Sequence, residues 1–600
     1  MKKIGLLFHI RIIVVLSASM YMFISPVVAV ELLEQVHEAT SILNKWRNDS
    51  PEIGNRRLHI IAWRVRDRDF PVQQPERLDR MLTSIQLFYR REMERHGFGS
   101  QSIRLDRSST GKLVIHEVIG EGLWEDYAVG DGSRIRKECL PALRAKGIDV
   151  NKETIMIFTN LSEWNPEKNI FRHKSPYYAG GDWRRGTAWQ LDSPELDVIN
   201  LSRTKPMIYD AQYGRISLGK HNSIFIGGIA HELGHALGLP HCKARPDETI
   251  HGTALMGSGN RTYGDEIRHE GSGSFLTLAH ALRLTSHPQF SGSVKAFSSN
   301  PKCVFSSLVA RPTQDHKGFS VSGKVIGMPP VYAVIGYLDP DGGSDYDART
   351  ISTVPSEDGR FTLSCTALVP HKKAELRIVA CHANGSATSI QQPYVVESDG
   401  DVNIETMQVL FELQPFFDEL SAHGPERAVQ FVPEHGPAAS YAKAILAGRQ
   451  RREGVSPSAV SNDIHQVFIS SCQAIDAKVG WLQPAYDYLP RREAVIESAG
   501  RLYRSGIYAH APSRHVYRLE KKWKRLKGAC GLPTQRGGSV VFCIKADGVE
   551  VFRSRVLSPG TTQTFDIDVS DVQEIVLMTE DGGDGKAADW GVWLMPELYR

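Results

Sequence analysis

Residues 231–241 read His-Glu-Leu-Gly-His-Ala-Leu-Gly-Leu-Pro-His, and the N-terminal half of the chain is best interpreted outward from them. On an α-helix His231 and His235 are four residues apart, so both imidazoles project from one face about a turn from each other. Two ligands of one tetrahedral zinc ion need that separation. Glu232 adjoins the first histidine, where a carboxylate can act as a general base. The stretch predicts a zinc-binding helix with a catalytic carboxylate.

The end of this stretch predicts a turn. Gly238 can adopt the left-handed conformation that ends a helix, and the turn would bring His241 to the metal as a third ligand. Three protein ligands leave the fourth position open, which is typical of catalytic rather than structural zinc. With 22 histidines and 52 glycines in 600 residues, the spacing should arise by chance with a frequency on the order of 10⁻⁴. Helix-face histidines without a metal remain the alternative.

A helix over about residues 222–237 would position these side chains. Asn222 is a suitable N-cap. Four apolar residues recur at helical spacing and could form the buried stripe of the helix: Ile226, Ile229, Leu233 and Leu237.

The surrounding sequence predicts an α/β (α+β) domain over residues 30–290. Strand-like alternation and helical spacing follow each other along the chain, as expected when helices cover a sheet. The strand patterns lie at 56–66, 112–118, 154–159 and 186–193, and the helical patterns at 75–95 and 274–285.

The spacing His231-Glu232-x-x-His235-x-x-Gly238-x-x-His241 resembles the signature of the metzincin zinc metallopeptidases. The resemblance implies a metzincin-like catalytic domain that binds Zn²⁺ through the three histidines. It also implies that Glu232 is the catalytic residue, accepting a proton during peptide hydrolysis and passing it to the leaving amine.

Met256, within Ala-Leu-Met-Gly-Ser-Gly, is similar to the methionine that metzincins carry in a tight turn beneath the metal. The resemblance implies a structural Met-turn here, and an ordinary core methionine is the alternative. Some metzincins have a tyrosine two residues later. Ser258 occupies that position, and Tyr263 is too displaced to take the role.

The resemblance further implies that the substrate lies along an edge strand above the helix, for which residues 186–193 (GTAWQLDS) are the candidate. Cys242 follows His241 directly, and its thiolate could close the metal site. Burial or a disulfide is the favoured interpretation of Cys242, because adjacent residues rarely both reach one metal.

The remaining chain divides into a middle and a C-terminal part. Short strand-like runs separated by turn residues predict an Ig-like β-sandwich over 303–408, followed by a helix-leaning linker over 409–463. Residues 303–460 would act as a spacer between the predicted catalytic site and the C-terminal part. Residues 464–600 again alternate like strands and include the predicted hairpin turn Asp547-Gly548.

Residues 464–600 resemble the NPCBM module, a carbohydrate-binding β-sandwich of the galactose-binding-like class. The resemblance is in GIYAHAPSRHVYRL (506–519), GSVVFCIKADGVEVFRSRVL (538–557) and EDGGDGKAADWGVW (580–593). It implies a carbohydrate partner, with His510 and Trp590 as candidate binding residues. A structural role for both is the alternative. The four carboxylates within 580–589 also suggest a Ca²⁺ site, although acidic glycine-rich turns are usually only solvated.

Composition and charge exclude some functions. The net charge is +3, and the three excess bases all precede residue 30, so the rest of the chain is neutral and gives no reason to expect nucleic acid. Residues 1–29 resemble a cleavable signal peptide, with Lys2 and Lys3 before an apolar run and with Val27 and Ala29 at the cleavage positions. An uncleaved anchor is the alternative. We expect a secreted, periplasmic or cell-surface protein with no membrane span after signal removal.

Eight cysteines are too few for a disulfide scaffold in a chain of this size. Cys365 with Cys381 and Cys530 with Cys543 are candidate pairs, because each of these residues ends or lies in a strand-like run. Small buried thiols are the alternative interpretation.

Together these features predict an exported zinc metalloendopeptidase that acts on proteins or glycoproteins and is held near glycans by its C-terminal module. The principal alternative is a glycan-binding adhesion protein with an inactive peptidase-like domain. A glycoside hydrolase is less favoured, because no pair of catalytic carboxylates is evident in the sequence.

Overall fold

A computed structural model describes residues 26–340, 346–370, 372–450, 454–492, 494–534 and 537–600. Most of the predicted signal peptide, residues 1–25, lies outside the described residues, and the first helix begins at Pro26. Within the described residues, no helix combines the length and the apolar character needed to cross a membrane.

The N-terminal region alternates strands and helices, as the sequence predicts. In chain order its elements are α1 (Pro26–Asn48), β1 (Leu58–Arg64), α2 (Gln74–Arg95), β2 (Ile115–Ile119), α3 (Gly132–Ala145), β3 (Thr154–Thr159), β4 (Ser162–Asn165), β5 (Ile170–His173), β6 (Tyr178–Gly181), β7 (Gly186–Leu191), β8 (Met207–Asp210), β9 (Gly214–Ser217), α4 (Leu218–Ala236), β10 (Thr253–Ala254), β11 (Ser274–Phe275), α5 (Leu278–Ser286) and α6 (Pro288–Ser291).

The central sheet has the strand order β2-β1-β3-β7-β6. Its first four strands are parallel, and β6 pairs antiparallel with β7 to form one edge. Strand β7 is therefore internal, and all six of its residues are buried. The prediction that 186–193 forms the edge is wrong, because the short hairpin strand β6 covers it.

Two hydrophobic cores lie against the two faces of this sheet. Ile60 and Phe158 pack in the core that contains α2 and α4, whereas Ile61 and Trp63 pack in the core that contains α3. Covering both faces of a mainly parallel sheet with helices is typical of α/β domains. A second sheet, of order β4-β5-β8-β9, lies beside the start of α4.

The middle region is a two-sheet β-sandwich. Its strands are β12 (Lys302–Pro312), β13 (Phe319–Met328), β14 (Val331–Asp339), β15 (Arg349–Thr353), β16 (Arg360–Cys365), β17 (Lys372–His382), β18 (Ala387–Val396) and β19 (Val402–Asn403). The sheets β12-β13-β16 and β15-β14-β17-β18-β19 share one core.

The sandwich also packs on the N-terminal domain. Every residue of β14 is buried, and Tyr332, Tyr337 and Val379 belong to the same hydrophobic core as α4 and α5. The Tyr332 hydroxyl donates a hydrogen bond to the Leu282 carbonyl and is also hydrogen-bonded to the Ser286 hydroxyl. The sandwich is thus a wall of the N-terminal domain, and the role of residues 303–460 as a spacer that fixes the distance to the C-terminal part stays a prediction.

The helix-leaning segment consists of α7 (Glu405–His423), α8 (Pro425–Ala428) and α9 (Gly436–Arg449). The C-terminal strands are β20 (Gln466–Phe468), β21 (Asp476–Lys478), β22 (Ile496–Ser498), β23 (Arg501–Tyr503), β24 (Gly506–Tyr508), β25 (Ser513–Arg518), β26 (Arg525–Gly531), β27 (Val540–Ala546), β28 (Val549–Arg553), β29 (Thr562–Asp568), β30 (Glu574–Asp581) and β31 (Val592–Tyr599).

The C-terminal strands form a second β-sandwich with its own core. The sheet β20-β31-β26-β29, joined by β24, faces the sheet β21-β25-β30-β27-β28 across Trp523, Phe542 and Trp593. Asp547 and Gly548 connect β27 to β28 with positive φ at both residues. This is the predicted hairpin turn.

Cys365, Cys381, Cys530 and Cys543 are free thiols, so both candidate disulfides are wrong. Cys365 lies on β16 and Cys381 on β17, in opposite sheets and in different cores. Cys530 and Cys543 likewise lie in opposite sheets of the C-terminal sandwich, and both are buried. The alternative interpretation, small buried side chains, describes these four residues.

Candidate active site

Helix α4 carries the first two histidines and is capped five residues earlier than the sequence predicts. Ser217 Oγ accepts a hydrogen bond of 3.0 Å from the Lys220 amide, which makes Ser217 the N-cap. Asn222, the predicted N-cap, is instead buried within the helix. Its side chain accepts a hydrogen bond from the Asp197 amide and donates one to the Leu218 carbonyl. These bonds attach the loop around Asp197 to the helix.

The C-terminus of α4 turns the chain back toward the histidines. Gly238 has φ +82°, and the Gly238 and Leu239 amides donate to the His235 and Gly234 carbonyls. These two hydrogen bonds define a Schellman motif, which favours glycine at this left-handed position. The turn places His241 beside the helix, as the spacing predicts.

The structure brings the three predicted metal-binding histidines together. His235 Nε2 lies 3.1 Å from His231 Nε2 and 2.9 Å from His241 Nε2. His231 Nδ1 lies 2.7 Å from the Leu255 carbonyl oxygen, and His235 Nδ1 lies 2.8 Å from the Leu239 carbonyl oxygen. A ring that donates from Nδ1 to a carbonyl keeps a lone pair on Nε2. The convergent Nε2 atoms therefore form a donor set that fits a zinc ion.

The protonation states of the side chains at this site also favour metal binding. Burial, together with the neighbouring His235 and His241, lowers the pKa of His231 to about 3. Its imidazole is therefore neutral at pH 7, as metal binding requires. Burial raises the pKa of Glu232 to about 8. A cation bound at the histidines would oppose this shift, because a nearby positive charge favours the carboxylate.

Met256 packs against α4 at Gly234, and its role in a Met-turn stays a prediction. Met256 is fully buried, and a Cβ atom added at Gly234 would lie 2.4 Å from its Sδ atom. Glycine at position 234 thus allows the methionine to approach the helix between His231 and His235. Cys242 is also buried, but its Sγ atom lies 3.5 Å from His280 Nδ1 and outside the histidine group.

The middle sandwich contributes an aromatic residue that sequence reasoning missed. The Tyr346 ring stacks on His241 with a centroid distance of 3.6 Å and an interplanar angle of 24°. Burial and the Glu232 charge raise the pKa of Tyr346. Tyr346 is about a hundred residues away in sequence, so no local pattern connects it with the histidines.

A cleft of about 430 Å³ is lined by His235 of the histidine group. Edge strand β6 lines one side with Gly180 and Gly181, and the sandwich lines the other with Arg377 and Ser389. An edge strand offers unpaired backbone donors and acceptors to an extended peptide. At this edge of the central sheet the outer strand is therefore β6 rather than residues 186–193.

The two candidate sugar-binding residues lie together in the C-terminal sandwich. The His510 and Trp590 rings are 6.2 Å apart, but only 6% and 9% of these residues are exposed. Trp481 is 59% exposed, and the amide of the preceding residue, Gly480, donates to the His510 carbonyl. Trp481 therefore offers an open aromatic face at this end of the sandwich, which suits sugar stacking better than Trp590 does.

The acidic loop does not form the expected carboxylate cluster. Glu580 accepts from Arg553, and Asp581 accepts from the Gly583 and Gly585 amides. Asp589 is fully buried, and burial together with Asp581 and Asp584 raises its pKa to about 6. Among the described residues, none of these carboxylates belongs to a group of three side chains suited to a metal.

Comparison with known proteins identifies one region. A family profile described as "NPCBM/NEW2 domain" matches residues 465–599. No curated protein matches the chain. Among solved structures, wild-type OgpA from Akkermansia muciniphila is 26% identical, covering 59% of this chain and 97% of its own, with a TM-score of 0.48.

Two further structures are similar to parts of the chain. Catalytically inactive OgpA in complex with an O-glycopeptide is 25% identical over 58% of this chain and 96% of its own, with a TM-score of 0.47. CBM51 from Clostridium perfringens GH95, in complex with methyl-galactose, is 22% identical over 22% of this chain and 99% of its own, with a TM-score of 0.21. None of these matches establishes the metzincin fold. The profile match confirms the predicted C-terminal domain: residues 465–599 form an NPCBM/NEW2 domain.

Proposed function

We propose that this protein is an exported zinc metalloendopeptidase that its NPCBM/NEW2 domain directs to glycoproteins. The convergence of His231, His235 and His241 beside Glu232 is the observation that carries the proposal. Two of the three histidines have their Nδ1 atoms at carbonyl oxygens, so their Nε2 atoms are available to a metal. Met256 supports the helix from below, as a Met-turn would.

Each group at the site would have a separate role in peptide hydrolysis. Zinc held by the histidines would polarise the scissile carbonyl and lower the pKa of the attacking water. The Glu232 carboxylate accepts the proton of that water and later gives it to the leaving amine. The backbone of β6 aligns an extended peptide. Arg377 and Ser389 of the sandwich line the opposite side of the cleft, and Tyr346 stacks on His241.

The NPCBM/NEW2 domain supplies the link to glycans. A module that binds sugars on the substrate raises the local concentration of peptide bonds at the site without a new contact in the cleft. Glycoproteins at a cell surface or in a secreted layer are the corresponding substrates. The predicted signal peptide would deliver the protein to them.

The test is digestion of native and enzymatically deglycosylated glycoproteins by the purified zinc-loaded protein, with new N-termini mapped by mass spectrometry. Glu232→Gln is the control, because it retains the size of the side chain and all three histidines. We expect cuts by the wild type alone and fewer cuts after deglycosylation. Equal cutting by Glu232→Gln, or none by zinc-loaded wild type, would instead favour the adhesion protein with an inactive domain.

A further inference from the structure

A second group of metal-binding side chains lies on the central sheet of the N-terminal domain. His59, Asp106 and His116 each present one ligand atom, and these atoms all lie within 4.8 Å of one another. In the β1–β2 register His116 pairs with Ile61, two residues after His59, so both histidines project from the same face of the sheet. Ile61 packs on the face covered by α3, whereas α4 covers the other face. The group is therefore separate from the candidate active site.

The backbone holds Asp106 beside the two histidines. The Leu58 amide donates to the Arg104 carbonyl, and the Val114 amide donates to the Asp106 carbonyl, so this segment lies against the start of β1. Asp106 Oδ1 accepts a 2.5 Å hydrogen bond from Arg57. Asp106 Oδ2, the other oxygen, lies 3.9 Å from His59 Nδ1. One carboxylate oxygen is thus held by arginine and the other faces the imidazole.

Two imidazole nitrogen atoms of this group have no hydrogen-bond partner within the described part of the chain. Among the described residues, His59 Nδ1 and His116 Nε2 are buried side-chain atoms without a hydrogen bond. Burying imidazole nitrogens without partners costs free energy, which a coordinated cation would offset.

We propose that His59, Asp106 and His116 form a second zinc site, which fastens the edge strand β2 and the segment around Asp106 to β1. Two imidazoles and one carboxylate are ligands suited to zinc. His59 Nε2 lies 3.8 Å from Glu153 Oε2, where a carboxylate can orient the ring of a metal ligand. Arg56 lies 3.3 Å from Glu153, and Arg57 lies 2.5 Å from Asp106. Their positive charges lower the zinc affinity of this site relative to that of the three-histidine site.

Metal stoichiometry tests this site without reference to catalysis. Tag-free protein is stripped with a chelator and dialysed against zinc, and bound metal is measured by mass spectrometry. We expect two zinc ions per wild-type chain, one in His116→Gln, one in His235→Gln and none in the double variant. His173→Gln, at a half-buried histidine outside both groups, should still bind two.

Two further variants test the same site independently, in case His116→Gln does not fold. His59→Gln and Asp106→Asn should each also bind one zinc, and in chelator each should melt within 2–3 °C of the metal-free wild type. Competition with a chromogenic chelator should show the second zinc binding at least tenfold more weakly than the first. One zinc in the wild type, or two in all three variants of the group, would overturn the proposal.

Discussion

At the scale of single residues, the environment of the candidate site prepares its side chains for metal-assisted hydrolysis. The carbonyl oxygens of Leu255 and Leu239 orient two of the imidazoles, and burial keeps His231 neutral. Burial has the opposite consequence for Glu232, whose charged form is disfavoured until a cation is present. The same low-dielectric environment therefore favours metal binding directly and activates the base only after metal binding.

The raised pKa of Glu232 predicts a pH-dependent stability in the metal-free protein. The pKa is about 8 in the folded state and 4.5 in the reference state, so the stabilising contribution is complete below pH 4.5 and is lost as pH rises through 8. Glu232→Gln removes this contribution. We expect the variant to gain on the order of 2 kcal/mol relative to wild type between pH 5 and pH 9, measured by urea unfolding in chelator. Parallel pH profiles would contradict this prediction.

Tyr346 predicts a contribution of the sandwich to activity. Tyr346→Ala removes the ring stacked on His241, and an aromatic contact of this kind is worth about 0.5–1.5 kcal/mol. We expect kcat/KM for a short peptide to fall about tenfold. Tyr346→Phe keeps the stacked ring and is the matched control. Loss of activity in the phenylalanine variant would show that the hydroxyl, rather than the stacked ring, is required.

At the scale of elements, one helix and its C-terminal turn place the histidines. Gly238 has φ +82°, a conformation that costs alanine about 1 kcal/mol and that asparagine tolerates better. Gly238→Ala should therefore lower the unfolding free energy by about that amount and weaken zinc binding severalfold, because His241 follows the turn. Gly238→Asn should retain most of both properties. Equal zinc affinity in wild type and Gly238→Ala, measured by chelator competition, would contradict this role for the turn.

The sequence predicts those features of the site that depend on local spacing. His231, His235 and Gly238 obey helical geometry, and β1, α2 and β3 begin and end within a few residues of their predicted bounds. Ser217 replaces Asn222 as the N-cap because Asn222 is needed to bond the Asp197 loop, a long-range contact. Tyr346, edge strand β6 and the docked sandwich also depend on contacts between distant segments, which residue patterns do not encode.

At the scale of the whole molecule, the middle sandwich and the N-terminal domain share a continuous core. Tyr332 crosses this interface with hydrogen bonds to α5, and Tyr332→Phe removes both. We expect the unfolding free energy to fall by about 1–2 kcal/mol, with the two regions still melting in one transition. Tyr209→Phe, at an exposed tyrosine of the N-terminal domain, should change little. Two separate transitions in calorimetry of the wild type would show that the regions fold independently.

The NPCBM/NEW2 domain, in contrast, has a core of its own. Its largest buried side chains, including Trp523, Phe542 and Trp593, belong to a hydrophobic cluster whose described members all follow residue 459. Residues 455–600 should therefore fold in isolation, unfold cooperatively and bind a native glycoprotein surface. Binding should disappear after deglycosylation.

Two tryptophans of this domain separate recognition from stability. Trp481→Ala removes the exposed aromatic face near His510. It should weaken glycan binding at least tenfold, because a sugar can stack only on an aromatic face that solvent reaches. Its melting temperature should remain within a few degrees of wild type. Trp590→Ala removes a side chain packed between Tyr508 and His510 and should cost about 3 kcal/mol of stability. Surface plasmon resonance and calorimetry on the isolated domain distinguish the two effects. The opposite result would be wild-type glycan affinity in Trp481→Ala together with loss of binding in folded Trp590→Ala. It would show that the sugar contacts the buried Trp590 ring rather than Trp481.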